Sequence, residues 1–188
     1  QKFPTPQVQK VMPNDSFYFS IVRDPSTLGE SSFSSFRAAA PAFRASPNLD
    51  AFLAHPTLFY RPGIRGNHYA RNLQWFDFGL PEDPKNPEEI REALENLERV
   101  FPLVLLAENF DESLVLLREA LCWPEDSVDT FAHNSRNSGG VTPAQARRLR
   151  VWNHLDWELY SHLNRSFWKR AEAFGIPRLR REVSRLRE

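Results

Sequence analysis

Cysteine is nearly missing from this 188-residue chain, in which Cys122 stands alone. A disulfide framework within these residues is excluded, and Cys122 is either a buried free thiol or half of a bridge to a residue outside them. Long apolar runs are missing too. The longest, Phe101 to Ala107, falls far short of the roughly 20 residues that a membrane-spanning helix needs. Net charge is zero, with 24 basic and 24 acidic residues, and no basic patch suited to a phosphate backbone stands out. No nucleic-acid partner is therefore expected. No glycine-rich loop of the Walker type is present. The histidines are scattered, with His133 beside Asn134 and His154 eight residues before His162. With one cysteine and no H-E-x-x-H pattern, no metal site is expected.

What the chain does have is enough apolar material for one real core, at 41% hydrophobic and 13% aromatic residues. Length suggests one domain or most of one, over residues 1–175. A basic amphipathic tail follows at 176–188, where Arg178, Arg180, Arg181, Arg185 and Arg187 are interrupted by Glu182. That tail reads as a solvated helix. Of the 24 basic residues 20 are arginine, the side chain best shaped for bidentate binding of phosphate and sulfate, although GC-rich coding produces the same bias. The chain starts at Gln1 and its only methionine is Met12, so a fragment or a processed product is expected.

The most informative stretch is Phe17–Val22 followed by Arg23-Asp24-Pro25. A short apolar run rich in aromatic and β-branched residues predicts a strand buried on both faces, as parallel strands are. Asp24 predicts an N-cap, and Pro25 suits the first helical position. Helix N-termini at the carboxyl ends of strands attract anions, and Arg23 would add a bidentate clamp there. Ser31, eight residues after Arg23, falls on the same helix face as Asp24 and Thr27. The alternative is an ordinary strand-turn-helix whose arginine pairs with a carboxylate.

Further along, residues 37–48 read as irregular, Pro47–His55 as a short helix, and residues 57–84 as a long ordered loop. Asn86-Pro87-Glu88-Glu89 is a capping box that opens a helix carrying Ile90, Leu94, Leu97 and Phe101. Leu103–Ala107 predicts a second buried strand, with Glu108 at its end and Asp111 capping the next helix, whose Leu114, Leu117 and Leu121 face inward. Thr142-Pro143-Ala144-Gln145 is a second capping box. Beyond it, Leu155, Leu159, Leu163 and Phe167 form an apolar stripe. Alternating strands and helices without internal repeats predict an α/β three-layer fold.

Arg23-Asp24-Pro25 with Glu30-Ser31-Ser32-Phe33 resembles the 3′-phosphate-binding motif of Golgi sulfotransferases. Asn67–Asn72 running into Trp75–Gly79, then Leu106–Leu117, then Trp152-Asn153 with Asn164–Trp168 narrow the resemblance to the galactose 3-O-sulfotransferases, which include galactosylceramide sulfotransferase. It covers the chain from about Val11 to Trp168. The resemblance implies a P-loop-like fold with a central parallel sheet, incomplete in this chain, and 3′-phosphoadenosine 5′-phosphosulfate (PAPS) as sulfate donor. It assigns Arg23 and Ser31 to the cofactor 3′-phosphate. It also implies a galactose-terminated glycolipid or glycoprotein acceptor and a Golgi membrane enzyme with a lumenal catalytic domain and an upstream anchor.

His68, Arg71, Asn72, Trp75 and Asp77 are the candidate acceptor-binding residues, because sugars are held by aromatic faces flanked by hydrogen-bonding groups. The alternative is a structural aromatic cluster with Asp77 paired to Arg71. Asn14-Asp15-Ser16 and Asn164-Arg165-Ser166 are glycosylation sequons. The lysine-containing phosphosulfate loop and the catalytic base that the family needs are expected before Gln1, so these residues alone are expected to be inactive. Two other functions stay open at this point: a noncatalytic remnant that keeps a nucleotide- or glycan-binding surface, and a kinase-like phosphotransferase.

Overall fold

The computed structural model describes residues 6–128 and 140–187; His133 and Asn134 lie outside them. In chain order the elements are α1 (Pro6–Val11), β1 (Phe19–Val22), α2 (Pro25–Ser35), α3 (Pro41–Arg44), α4 (Leu49–Ala54), α5 (Pro56–Phe59), α6 (Leu73–Asp77) and α7 (Pro87–Val100). They continue as β2 (Leu103–Leu106), α8 (Phe110–Ala120), α9 (Pro143–Trp152), α10 (His154–Phe174) and α11 (Ile176–Leu186). This is a mostly helical α/β arrangement around a small sheet. The two strands run parallel, in the register Phe19 to Leu103 through Val22 to Leu106.

Both strands fall where the apolar runs predict them, but only β2 is buried along its whole length. Its pleat sends Val104 and Leu106 into the main cluster with Leu94, Leu159 and Phe167, while Leu103 and Leu105 pack with Leu117 of α8. In β1 the expected burial on both faces is not found, since Phe19 and Ile21 are each 45% exposed. Among the described residues β1 pairs with β2 alone, and α8, which packs on the Leu103 and Leu105 side of this face, leaves Phe19 and Ile21 open.

Helix starts follow local chemistry where capping residues are present. Asp24 caps α2 by accepting from the Ser26 N–H at 2.8 Å, with Pro25 at the first helical position. The Thr142 box forms in both directions with Gln145. At α7 the box is half formed: Asn86 accepts from Glu89 N–H, but the Glu89 carboxylate accepts from Lys85 N–H at 2.8 Å. Asp111 is not the cap of α8. That position belongs to Asn109, and Asp111 lies in the first turn and pairs with Arg187, just past the end of α11. The inner face of α8 is Ser113, Val115, Leu116 and Leu117, with Leu114 only half buried.

The stripe Leu155, Leu159, Leu163 and Phe167 buries α10 along its length. A second cluster joins Phe33 of α2, Phe43, Phe52 and Leu149 of α9, with Phe43 edge-on to Phe52 at 5.2 Å between centroids. Gly175, at φ 99°, separates α10 from α11. The tail helix carries its arginines outward and buries Leu179 and Val183 in the main cluster.

The stretch expected as a loop over residues 57–84 holds helical turns instead: α5, a 3₁₀ turn over Asn67–Ala70, and α6. Residues 37–48 likewise contain α3. Gly66, at φ 92°, makes the turn into Asn67 and has no room for a side chain, since a Cβ would meet Ala39 O at 2.3 Å.

Candidate functional site

Arg23 leaves β1 directly after the last paired residue, Val22, and three hydrogen bonds hold it. Its N–H donates to Gln74 Oε1 at 2.7 Å, its carbonyl accepts from Gln74 Nε2 at 2.9 Å, and its Nε donates to Thr27 Oγ1 at 3.0 Å. Neither Nη nitrogen has a partner among the described residues. The carboxylate partner of the alternative reading is thus not found there, and the two Nη groups stay available as a fork for an anion. Ser31 lies one turn beyond Thr27 on α2, half buried and without a hydrogen-bond partner among the described residues.

The adjacent carboxylate of Asp24 is engaged elsewhere. The Asp24 carboxylate, which would oppose an incoming anion, is taken up by its cap bond to Ser26 and by an ion pair with Arg150, whose guanidinium also stacks over Trp157 at 4.5 Å. Partial burial pushes the Asp24 carboxyl up, but the hydrogen bonds from Arg150 and Ser26 outweigh it and hold the group below its usual range. Because Asp24 occupies the first N–H of α2, an anion here is met by side chains rather than by the bare helix end. Glu108, at the end of β2, accepts from Asp24 N–H at 2.8 Å and meets Tyr160 OH at 3.4 Å. Burial and the Glu108 charge push the Tyr160 phenol up to about 12.

A cleft of about 580 Å³ opens on the other side of α6. Its walls include Tyr60, His68, Arg71, Asn72, Phe76 and His154. Four of the five residues singled out for an acceptor, His68, Arg71, Asn72 and Trp75, lie on this wall, and Asp77 does not. Arg71 is not paired with Asp77. Its guanidinium lies over the Trp152 ring at 4.7 Å and near Tyr60 at 5.7 Å, and its Nε is buried without a partner, as is Asn72 Oδ1.

Trp75 is only 2% exposed and spends its indole N–H on Pro81 O, so it builds the wall from beneath. The exposed aromatic is Phe76, stacked on His68 at 4.4 Å. Burial raises the Asp77 carboxyl, partly offset by His68. His154, which the sequence alone leaves as a surface or core residue, belongs to the cleft. Partial burial and the Arg71 charge lower its imidazole below the ordinary value.

Several residues that build the site carry no local signal. Asn72 sits at φ 50°, and its N–H donates to Asn153 Oδ1 at 2.8 Å. No side chain from its own segment caps α6. The Asp156 carboxylate of α10 does so, accepting from Trp75 N–H at 2.8 Å and from Gln74 N–H at 3.4 Å. Burial raises the Asp156 carboxyl to about 7, against the lowering effect of those two N–H groups. A carboxyl raised on folding contributes stability that is fully present below about pH 4 and is lost as pH rises through about 7. Asp156→Asn, which cannot ionise, is therefore expected to flatten the fall in thermal midpoint between these limits. Parallel melting curves of the two proteins across that range check it, and identical slopes would contradict the burial-driven shift.

Of the two glycosylation candidates, Asn14 is exposed in a turn before β1 and Asn164 is half buried in the middle of α10.

The α/β unit thus presents an arginine fork at the carboxyl end of a parallel strand, beside a cleft lined by aromatic and hydrogen-bonding groups. The family model for Galactose-3-O-sulfotransferase matches residues 1–188. The chain belongs to the galactose-3-O-sulfotransferase family. It is 50% identical over 192 residues to human Galactose-3-O-sulfotransferase 2, covering 99% of this chain and 48% of that protein. It is 40% identical over 194 residues to human Galactosylceramide sulfotransferase (99% and 46%), and 40% identical over 257 residues to bovine Galactose-3-O-sulfotransferase 4 (99% and 53%). The chain thus spans about half the length of the curated relatives it matches. No solved structure matches it.

Proposed function

We propose that the protein is a Golgi carbohydrate sulfotransferase that moves the sulfuryl group of PAPS to the 3-hydroxyl of a terminal β-galactose on a glycolipid or glycoprotein. The observation that carries this reading is Arg23, fixed at the end of β1 with neither Nη nitrogen paired among the described residues, in a chain of this family. The residues at this strand end fit the 3′-phosphate half of PAPS: a cationic fork, a nearby hydroxyl at Ser31, and a neighbouring carboxylate already neutralised by Arg150. Bound PAPS supplies the activated sulfuryl group, with 3′,5′-ADP as leaving group. Arg23 and Ser31 bind and orient the nucleotide, and positioning is most of what such in-line transfers ask of a protein.

On the acceptor side, Phe76 offers an apolar face to a sugar ring, and Arg71, Asn72 and His154 line the same cleft as hydrogen-bonding residues. The base that takes the hydroxyl proton and the loop that holds the phosphosulfate are assigned to the part of the protein outside these residues, as is a membrane anchor. In the same reading the parallel pair β1–β2 belongs to the central sheet of a larger P-loop-like three-layer fold, whose further elements cover Phe19 and Ile21. The acceptor assignment is tested on the intact protein. Phe76→Ala is expected to raise KM for a β-galactoside about 10-fold with KM for PAPS unchanged, and Phe76→Tyr to restore it. An unchanged acceptor KM would remove the cleft from the site.

A further inference from the structure

Gln74 is 9% exposed and makes two hydrogen bonds to a single residue, Arg23, one through each end of its carboxamide. It takes the place of a strand neighbour just where the β1–β2 pairing ends, at Val22. The carboxamide fixes the peptide groups on either side of the Arg23 Cα, and Thr27 then fixes Nε, so only the two Nη nitrogens remain to be used. Gln74 is itself anchored: its N–H and that of Trp75 donate to the buried Asp156. The same helix follows Asn72, which lies on the cleft wall. One element thus grips the arginine of one site and forms the wall of the other.

We infer that Gln74 is a positioning residue for the donor nucleotide, holding the Arg23 main chain so that the guanidinium is preorganised for the 3′-phosphate. An arginine that is already ordered loses less conformational freedom on binding, so removal of the clamp weakens the contact without touching the ligand. A residue that only fills space behaves differently. Its polar ends are irrelevant, and a neutral replacement of equal bulk leaves binding intact.

The inference rests on the assignment of Arg23 to the 3′-phosphate, and the test separates the two. The intact protein is titrated with 3′,5′-ADP and with 5′-AMP, and the ratio of the two dissociation constants reads the 3′-phosphate contact alone. Wild type is expected to favour 3′,5′-ADP strongly; no preference would overturn the Arg23 assignment itself. With that preference in hand, Gln74→Met, which keeps length and bulk but neither hydrogen bond, is expected to lose about 10-fold of the ratio at every pH.

Gln74→Glu keeps the acceptor for Arg23 N–H but, when ionised, sets an oxygen against Arg23 O. It is expected to lose at least as much near pH 8 and to recover toward wild type, compared at the same pH, only as the pH falls far enough to protonate the new carboxyl, which then donates again. A Gln74→Met ratio equal to wild type overturns the inference even if Gln74→Glu is impaired, because the loss is then charge repulsion. So does failure of both variants to fold, which makes the clamp a requirement of the fold.

Discussion

Arg23→Ala in the intact protein is expected to lower affinity for 3′,5′-ADP about 100- to 1,000-fold, since a bidentate arginine–phosphate contact is among the strongest polar interactions available. The fold should barely notice. The side chain is half buried and makes one hydrogen bond, Nε to Thr27, while the main-chain bonds to Gln74 survive the substitution. A thermal midpoint close to wild type with binding nearly lost is therefore the expected pair of results. Arg23→Lys keeps the charge but loses both the fork and the Nε that Thr27 holds, so it is expected to fall between, about 10-fold below wild type. Calorimetric titration checks all three proteins. Unchanged affinity in Arg23→Ala would place the anion elsewhere, and a collapse of the midpoint would make the arginine structural.

The largest stability effect is expected from Arg118→Ala. Arg118 Nη2 meets Glu182 Oε2 at 2.7 Å with both side chains only 11% exposed, and this pair joins α8 to α11. The hydrogen bond from Arg118 holds the Glu182 carboxyl below its ordinary range, so it stays ionised and dependent on its partner. Removing the guanidinium leaves a buried carboxylate with Arg185 as its remaining, more exposed partner, at 3.2 Å. Because Arg185 stays within reach of the carboxylate, the expected cost is about 1–3 kcal/mol, read as a shift of the denaturant midpoint. The double variant Arg118→Met/Glu182→Leu removes both charges and is expected to recover most of that loss. A small effect of Arg118→Ala would mean that water reaches the pair and that α11 is held by the burial of Leu179 and Val183 and by its other ion pairs.

Features written within one turn of chain were legible in the sequence. Asp24 with Pro25 gave the start of α2, Thr142 with Gln145 the start of α9, and the spacing of Leu155, Leu159, Leu163 and Phe167 the buried face of α10. The helical turns between residues 57 and 84 were not. Helix α6 starts on a cap supplied by Asp156, 81 residues from Trp75, and on an Asn72 held in a left-handed conformation by Asn153, also 81 residues away. No local window contains both partners. The same distance hides the clamp on Arg23, since Gln74 lies 51 residues on.

The candidate site shows the same division. Arg23 was readable because a strand, a cap and a proline surround it in sequence, whereas the exposed aromatic of the cleft proved to be Phe76 and not its neighbour Trp75. Which of two adjacent rings faces outward depends on the α10 residues beneath them, and neighbours on a helix differ by about 100° in direction.

The measurement that bears most directly on the account is sulfate transfer itself: the intact protein, labelled PAPS and a terminal β-galactoside, with the position of the sulfate on the product determined. The account predicts label on the galactose 3-hydroxyl, lost in Arg23→Ala at limiting PAPS. No transfer, or sulfate at another hydroxyl, would contradict it.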